Sequence, residues 1–580
     1  MLRSSSESRR RRWVTDGWPV SLASFVLLLA WSFAVPVFES PDEVHHWQYA
    51  RYLHDAGKLP LYGPDFVEAN SPPLYYALVA PVATESAQPP PLVWFDVNGA
   101  LVLPFPPRFY HNASGDFARY GPIRLGRFIS VAMSVVTVWL CWQAGLRIGG
   151  ISLAIICASV VAFLPQFTFR GAAISNDVLV TTMAAATMLC IVRLVREPFT
   201  WRLGVAAAVV LSAAYLAKIS AICLVAPVTL AVWWTEGTAR QRLIRVAGVL
   251  GLAALIVAPW SLRNVVLYGD PFASGAMGGA VGHIMSHQSL TSAYFWTTFP
   301  SLLSRSFVGV FGWMNLRLPE VYYWIFWALG FVGMVSAAWQ VAVRRRNARI
   351  TLVLVAIVLL NLAVVVHINR SFVQPQGRYM FVALPALALL VAMGLDALPR
   401  RTSRVGAAAA LAVGLAVLNI FILIRYLIPA YYPPVTPTLS DTRVALSSPS
   451  LHDLLPQADG SALVRGSDPQ FAFPTRLNAS NVGFLAFEVS GTCNEGNVIG
   501  SVYFAVDGKP GSEAQQVAFT WRADGRKRVI QIPMLTNPYW KGTVTTIRID
   551  PINASLSRHQ GDPVRIENPR AGGSLSRVVQ

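Results

Sequence analysis

The sequence predicts an α-helical polytopic membrane protein of about eleven transmembrane helices, with a β-sandwich domain at its extracytoplasmic C-terminus. Of its 580 residues, 54% are hydrophobic and only 13% are charged, and the mean hydropathy is +0.47. One water-soluble core could not bury that much apolar surface. The apolar residues form runs of roughly 17 to 25 between basic clusters, long enough to cross a bilayer as helices. Segments of β-forming residues separated by turns follow the last run.

The net charge of +18 is explained by membrane topology. Arginines cluster in the short stretches between apolar runs, as the positive-inside rule expects of cytoplasmic loops. The sequence contains no readable nucleic-acid-binding motif. We therefore expect no nucleic acid among the partners.

The five cysteines predict neither a disulfide framework nor a zinc site. Four of them fall within apolar runs, where they act as small hydrophobic residues, and these are Cys141, Cys157, Cys190 and Cys223. Cys493 lies outside the runs and has no partner cysteine in its compartment. No Cys/His spacing is typical of zinc binding.

The N-terminal part predicts a short basic segment and an uncleaved first span. Residues 1–19 form the cytoplasmic N-terminus, and the first span runs from Val20 to Phe38. No small-residue cleavage site follows, so the span is predicted to remain in the protein. The transmembrane domain then covers residues 20–430, and its two long external loops are residues 39–123 and 263–320.

The positions of the basic clusters determine the order of the remaining spans. The apolar stretch Leu203–Trp234 is too long for one span, so parity makes it a hairpin that turns outside near Lys218. The other predicted spans are Arg124–Arg147, Ile151–Phe169, Asp177–Val195, Val246–Leu262, Val321–Val343, Ile350–Val366, Tyr379–Leu398 and Val405–Leu427. Residues after about Ile428 are therefore expected outside the cell.

Residues 431–569 predict a small extracytoplasmic β-sandwich. Its expected strands alternate or cluster β-forming residues, and they are Phe484–Ser490, Val498–Val506, Gln516–Trp521, Arg528–Met534 and Val544–Ile549. Trp521, Tyr539 and Trp540 are candidates for stacking on sugars, although aromatic residues more often fill the core of a sandwich. The tail, residues 570–580, is rich in Gly, Ser and Arg and is predicted to be flexible.

An acidic and histidine-containing segment follows the first span directly. It includes Asp42, Glu43, His45 and His46. One interpretation is a solvated helix start after Pro41, because carboxylates stabilise helix N-termini. The other is a catalytic site, in which a carboxylate acts as general base towards a hydroxyl group and the histidines orient it or supply a proton.

Further candidates lie at predicted external positions. Tyr75 and Tyr76 belong to an amphipathic element on the membrane or to a proline-rich turn with interfacial tyrosines. Three cations stand at external span ends, where they either hold a lipid-borne phosphate or snorkel to the interface, and they are Lys218, Arg263 and Arg378. Asn176 and Asp177 either bind a divalent metal or cap the fourth span.

Together these segments resemble the GT-C superfamily of polyprenyl-phosphate-sugar-dependent glycosyltransferases, which includes protein O-mannosyltransferases and aminoarabinose transferases. The resemblance rests on the acidic pair after the first span and on the sequence Pro72-Pro73-Leu74-Tyr75-Tyr76. It extends over roughly residues 15–430. Within it, four segments also resemble a bacterial branch of predicted membrane proteins of unknown function, namely Ile174–Asp177, Arg263–Pro271, Phe311–Asn315 and Gln376–Tyr379.

The resemblance implies transfer of a sugar from a polyprenyl-phosphate carrier to an acceptor on the external face, with inversion. Asp42 matches the acidic residue that acts as base, and Glu43 matches its neighbour. Ser71 stands where many relatives have a histidine before the paired prolines, so this chain departs from the family pattern at that position. The residues expected to bind substrate are His45, His46, Tyr75, Tyr76, Asn176, Asp177, Lys218, Arg263, Asn264, Gln376, Arg378 and Tyr379.

The leading hypothesis is therefore a GT-C-like glycosyltransferase in the bacterial plasma membrane, with a cytoplasmic N-terminus and an extracytoplasmic C-terminal domain. Its expected partners are the bilayer, a polyprenyl-phosphate-linked sugar as donor and an envelope glycan, lipid or protein as acceptor. A divalent metal is possible but not required. The alternative is a non-enzymatic transporter or flippase of lipid-linked glycans, which intramembrane charged pairs would favour.

Overall fold

The computed structural model describes residues 17–63, 66–84, 120–273, 287–344, 347–398, 403–431, 444–509, 511–512, 515–534, 537, 539–552 and 559–572. Most of the predicted cytoplasmic N-terminus, parts of both long external loops and the last part of the C-terminal tail lie outside these ranges. The described residues divide into two compact units. The helical unit lies before residue 427, and the strand-rich unit comprises residues 312–316 and those from 427 onwards.

The helical unit contains fifteen α-helices among its described residues. They are α1 (Trp18–Ala34), α2 (Glu43–Ala56), α3 (Leu74–Val79), α4 (Gly121–Gly149), α5 (Ile151–Ala162), α6 (Pro165–Gly171), α7 (Asn176–Arg196), α8 (Trp201–Ala217), α9 (Val225–Trp233), α10 (Ala239–Tyr268), α11 (Phe299–Gly309), α12 (Glu320–Arg344), α13 (Ala348–Asn369), α14 (Leu384–Ala397) and α15 (Arg404–Ile422).

Six of the described helical stretches are long and apolar enough to cross a membrane, and the bent pair α5 and α6 makes a possible seventh. The angle within that pair is 63°. The four shorter apolar helices are Trp18–Ala34, Trp201–Ala217, Ile219–Trp233 and Leu384–Ala397. Each of them overlaps a predicted span, and the count of eleven crossings remains a prediction that needs all four.

Local sequence explains where several helices begin and break. The Ser175 side chain accepts a hydrogen bond from the backbone N–H of Asp177 and caps α7. A capping box of Thr238 and Gln241 starts α10. The apolar stretch after α8 breaks at Lys218, whose backbone is extended, before a 3₁₀ turn leads into α9. That break is where the predicted hairpin requires one.

The strand-rich unit is organised around one long strand, β8. The strands of its sheet are β3 (Val444–Ala445), β4 (Ser450–His452), β5 (Leu454–Pro456), β6 (Ala462–Val464), β7 (Gln470–Asn478), β8 (Phe484–Val506), β9 (Gln516–Asp524), β10 (Arg528–Pro533), β11 (Thr543–Asp550) and β12 (Pro563–Gly572). Two short strands earlier in the chain, β1 (Val310–Phe311) and β2 (Leu316–Arg317), form a separate sheet. The first half of β8 pairs with β10 and β12, and its second half pairs with β9 and β11, all antiparallel.

Burial decides whether Trp521, Tyr539 and Trp540 are available to stack on sugars or fill the core of this unit. Trp521 is 4% exposed and Trp540 is 5% exposed, and both belong to the hydrophobic core. The indole N–H of Trp540 donates to the backbone carbonyl of Val482. Tyr539 differs, because it is 48% exposed. The two tryptophans therefore stabilise the core, and only Tyr539 of the three faces solvent.

One boundary in the C-terminal part was predicted wrongly. Strand β12 extends to Gly572, so residues 570–572 belong to the sheet rather than to the flexible tail. Arg570 and Ala571 pair with β3 as well as with β8, which fixes them on both sides. The rest of the predicted tail lies outside the described residues.

The orientation in the membrane is predicted by the basic clusters alone and can be tested with introduced cysteines. Lys58, Ser289 and Ser512 are exposed and lie in segments predicted to face outside. Single cysteines at these positions, in a background without native cysteines, should react with an impermeant thiol reagent in intact cells. A cysteine introduced at Arg240, in a predicted internal cluster, should be labelled only after lysis. Protection of the Ser512 site in intact cells would contradict the predicted topology.

Candidate functional site

The turn between α1 and α2 carries Asp42 in a strained backbone conformation. Asp42 has φ of 63°, and Phe38 in the same turn has φ of 70°. Residues other than glycine rarely adopt this left-handed region, which costs on the order of 1 kcal/mol or more and persists only where the surroundings enforce it. Strain of this kind is concentrated at functional sites.

A buried ion pair between Glu43 and Arg127 enforces this turn. Both side chains are completely buried, with Nη2 of Arg127 2.7 Å from Oε2 of Glu43 and Nε 2.8 Å from Oε1. Arg127 also donates to three backbone carbonyls before Asp42, those of Ser32, Val35 and Pro36. Glu43 accepts two backbone N–H groups, those of Phe38 and Ile174. Glu43 therefore holds the turn in place, which favours a supporting role over the catalytic role predicted for it.

Asp42 itself is paired with a cation that is remote in the sequence but adjacent in the fold. Its Oδ2 atom lies 2.5 Å from Nη2 of Arg378, which belongs to the 3₁₀ turn Gly377–Met380 before α14. The carboxylate is 27% exposed, whereas Arg378 is only 6% exposed. Burial alone would raise the pKa of Asp42, but the adjacent Arg378 and more distant cationic groups outweigh burial and bring the pKa below its ordinary value of 3.8. The carboxylate is thus ionised at neutral pH.

Asp177 at the start of α7 gathers three cations around a second carboxylate. Its Oδ1 atom lies 2.5 Å from Nζ of Lys218, and its Oδ2 atom lies 3.1 Å from Nη2 of Arg170 and 3.7 Å from Nη1 of Arg378. Arg170 also donates 2.8 Å to the carbonyl of Pro41, directly before Asp42. We call Asp42, Asp177, Arg170, Lys218 and Arg378 the charged cluster.

The charged cluster has the properties of an anion site. Three cations face two carboxylates, which leaves one excess positive charge. The buried Nε atoms of Arg170 and Arg378 have no hydrogen-bond partner among the described residues. A buried donor without a partner is costly, so a ligand oxygen here would be stabilised.

A divalent metal does not fit this donor set. Both carboxylates already face guanidinium or ammonium groups, and the excess positive charge of the cluster would repel a metal cation. Asn176, the other predicted metal candidate, donates to the hydroxyl groups of Ser71 and Tyr76 at 3.4 Å. The capping interpretation of this segment is the one that the geometry favours, although Ser175 rather than Asn176 provides the cap.

A polar and aromatic layer beside the charged cluster contains His46 and Tyr76. The Nδ1 atom of His46 lies 2.9 Å from the Tyr76 hydroxyl and 3.9 Å from a carboxylate oxygen of Glu68. Tyr76 stacks on Tyr49 with ring centroids 3.8 Å apart. Tyr75 is fully buried and accepts the backbone N–H of Ser175 at 2.8 Å. Tyr75 therefore anchors the start of α7, and His46 and Tyr76 border the cluster.

The buried environment of His46 predicts a pH dependence of stability. Burial lowers the pKa of His46 below 6.5, although Glu68 and Asp42 oppose the shift. Below pH 6.5 the unfolded chain therefore binds a proton at His46 more readily than the folded chain does. The free energy of unfolding is thus unaffected by this group well above pH 6.5 and falls as the pH drops below that value. The melting temperature in detergent should decrease from about pH 7.5 to about pH 5.5, and His46→Gln should reduce that decrease. An unchanged decrease in the variant would mean that other groups cause it.

The structure separates the remaining predicted site residues from the charged cluster, with one exception. Tyr379 joins it, because its ring lies 4.7 Å from Nζ of Lys218. The other four make hydrogen bonds to residues outside the cluster, His45 with Gln48, Arg263 with the carbonyl of Pro60, Asn264 with the carbonyl of Pro271 and Gln376 with Gln374.

Sequence reasoning missed Arg127 and Arg170. Both are buried, Arg127 at 0% exposed and Arg170 at 1% exposed. Arg127 contacts residues on both sides of Asp42, and Arg170 contacts the residue directly before it. The available signal was an arginine close to the external end of an apolar run. Such residues are rare and are paired when buried.

The central part of the chain matches a known family model. Residues 123–391 match the model described as "Predicted membrane protein (DUF2142)". This segment contains Asp177, Arg170, Lys218 and Arg378 but not Asp42. It confirms the resemblance to a group of predicted membrane proteins. No curated protein sequence matches the chain.

Several solved structures are similar to most of the chain at low identity. ArnT from Cupriavidus metallidurans, bound to undecaprenyl phosphate, is 15% identical with a TM-score of 0.42, covering 71% of this chain and 74% of that one. The Archaeoglobus fulgidus oligosaccharyltransferase is 12% identical with a TM-score of 0.44, covering 72% of this chain and 56% of that one. Arabinosyltransferase EmbB from Mycobacterium smegmatis is 10% identical with a TM-score of 0.40, covering 96% and 64%. These structures are what the chain is similar to, each at 15% identity or less and with a TM-score of 0.44 or less.

Proposed function

We propose that this protein is a membrane glycosyltransferase that moves a sugar from a polyprenyl-phosphate donor to an envelope glycan, lipid or protein on the extracytoplasmic face. The observation that carries the proposal is Asp42. It is a partly exposed carboxylate next to a cluster of cations with excess positive charge. A base and an anion site side by side are what transfer from a glycosyl phosphate requires.

The charge of the donor matches that of the charged cluster. A polyprenyl-phosphate sugar is a phosphodiester with one negative charge, and the cluster has one excess positive charge. Arg378 and Arg170 each have an Nε donor without a partner among the described residues. Charge-assisted hydrogen bonds from these groups would hold the phosphate. Lys218, which is 19% exposed, is the third cation within reach.

In the proposed reaction Asp42 accepts the proton of the acceptor hydroxyl group. The hydroxyl oxygen forms a bond to the anomeric carbon, and the bond from that carbon to the phosphate oxygen breaks. The electron pair leaves with the polyprenyl phosphate, whose second negative charge the cations stabilise. One displacement at the anomeric carbon inverts its configuration.

Donor binding would also make Asp42 a stronger base. While Arg378 is paired with Asp42, it holds the pKa of this carboxyl below its usual range. A phosphate that draws the guanidinium away removes the largest of the charge effects that lower the pKa. Proton acceptance by Asp42 would therefore be more favourable with the donor bound than without it.

Arg378→Ala tests the phosphate site. Loss of a charge-assisted hydrogen bond should raise the KM for the polyprenyl-phosphate donor by about 10-fold to 100-fold, with a smaller change in kcat. The matched control is Arg263→Ala, because Arg263 is also a predicted external cation but donates to the carbonyl of Pro60 outside the cluster. The measurement is the initial rate of sugar transfer at varied donor concentration. An equal change in KM for both variants would remove Arg378 from the donor site.

A further inference from the structure

A second group of side chains with metal-binding chemistry lies in the strand-rich unit. Cys493, His559 and Asp562 each offer one ligand atom, and these atoms lie within 4.8 Å of one another. Among the described residues, this is the one group of three or more Cys, His, Asp or Glu side chains with that proximity. None of the three is part of the proposed transferase site.

The strand register brings two of these residues face to face. In the ladder between β8 and β12, Ser490 pairs with Arg565 and Gly491 pairs with Val564. Extending that register by two residues places Cys493 opposite Asp562, and alternate residues of a strand share a face. This placement agrees with the observed proximity of their ligand atoms.

A tight turn adds the imidazole. The backbone N–H of Asp562 donates 3.0 Å to the carbonyl of His559, which folds the histidine back over the strand end. The Nδ1 atom of His559 lies 2.9 Å from Oδ2 of Asp562. His559 is 7% exposed and Asp562 is 19% exposed at the side chain, so the group is largely shielded from solvent.

We propose that Cys493, His559 and Asp562 bind a zinc ion. A thiolate, an imidazole and a carboxylate are ligands that Zn²⁺ accepts together, whereas Ca²⁺ and Mg²⁺ prefer oxygen ligands alone. Zinc lies about 2.3 Å from sulfur and about 2.0 to 2.2 Å from nitrogen or oxygen, which separates tetrahedral ligand atoms by roughly 3.3 to 3.6 Å. The observed limit of 4.8 Å requires only small side-chain rotations to reach these distances. Water fills the fourth position.

Zinc binding would release one proton from the site. The thiol of Cys493 loses its proton on forming the metal bond, whereas a neutral His559 that binds zinc through Nδ1 keeps its proton on Nε2. The ion would join the middle of β8 to the turn before β12. None of the described cysteines forms a disulfide, so this bond would be a cross-link that the unit otherwise lacks. Its expected effect is a stabilisation that grows with the logarithm of the zinc concentration once that concentration exceeds Kd.

The test uses the full-length protein in detergent, with any histidine tag removed, and metal alone as the probe. After saturation with Zn²⁺ and desalting, the wild type should retain one zinc per chain. Co²⁺ should give a thiolate-to-cobalt charge-transfer band, and Zn²⁺ should slow alkylation of Cys493. Cys493→Ser and His559→Gln should each weaken zinc binding by about 100-fold or more, since even the partners of zinc ligands contribute 10-fold to 100-fold.

The matched control is His452→Gln. His452 lies 3.8 Å from Asp453 on the same unit, so it is a histidine–carboxylate pair without a cysteine. The proposal predicts that this variant binds zinc as the wild type does. Wild-type protein that retains no zinc, or that is alkylated at Cys493 equally fast with and without Zn²⁺, would overturn it. The alkylation measurement needs no variant, so it decides the question even if a substitution prevents folding.

Discussion

The Asp42→Asn protein should lose about 100-fold or more of the wild-type turnover. The amide keeps the shape of the side chain but cannot accept the proton of the acceptor hydroxyl group. It also removes the charge that competes with a donor phosphate for Arg378. Donor binding should therefore be as tight as in the wild type or tighter, so the loss should appear in kcat.

Asp55→Asn is the control for this substitution. Asp55 lies near the end of α2, the helix that begins directly after Asp42, is 50% exposed and pairs with Arg51 away from the charged cluster. Its variant should transfer sugar at the wild-type rate. Steady-state rates and donor affinities of purified, correctly folded proteins are the required measurements. If Asp42→Asn retains full turnover, Asp42 is not the base.

Breaking the buried pair of Glu43 and Arg127 should have the largest effect on stability. Arg127→Met leaves the completely buried Glu43 carboxylate without its cation, and loss of one partner of such a pair typically costs about 3 to 5 kcal/mol. The free energy of unfolding should therefore fall by roughly that amount. The control is Arg51→Met, which breaks the more exposed pair with Asp55 and should cost less than about 1 kcal/mol.

The double variant Glu43→Gln with Arg127→Met separates pairing from side-chain packing. If the charges stabilise each other, Arg127→Met should lower the free energy of unfolding much less in the Glu43→Gln background than in the wild type, because no unpaired charge remains. Strict additivity of the two effects, measured by denaturant unfolding in detergent, would mean that the pair does not fix the turn. Residual activity of Glu43→Gln above that of Asp42→Asn would separate support of the site from catalysis.

The sequence predicted the parts of the site that depend on neighbouring residues better than the parts that depend on residues far apart in the chain. Asp42 was predicted as a candidate because the acidic segment follows the first span directly. Its partner Arg378 was predicted as a phosphate ligand, but its ion pair with Asp42 was not predicted. Arg127 and Arg170 were missed because their roles arise only from packing between helices that are remote in sequence. The predicted spans, by contrast, depend on local hydropathy, and the described apolar helices overlap them.

In the strand-rich unit, too, local patterns were predicted and contacts between remote residues were not. All five predicted strands are present, with two of them joined in β8. Strands β7 and β12 were missed because they contain Pro474 and Pro569, and proline within a β-forming run argues against a strand. In both cases the ladder accommodates the proline beside a register shift. Sequence spacing also gave no indication of the group formed by Cys493, His559 and Asp562, since the fold alone brings these residues together.

The central claim is that the chain transfers a sugar with Asp42 as base. Its most direct test is to incubate purified wild-type and Asp42→Asn protein with a panel of polyprenyl-phosphate sugars and envelope acceptors, and to measure the glycosylated product and free polyprenyl phosphate by mass spectrometry. We expect both products to form in equal amounts with the wild type, and about 100-fold or more slowly with Asp42→Asn. Movement of intact donor across proteoliposome membranes by the wild type, with neither product formed from any donor, would contradict the claim and identify a transporter.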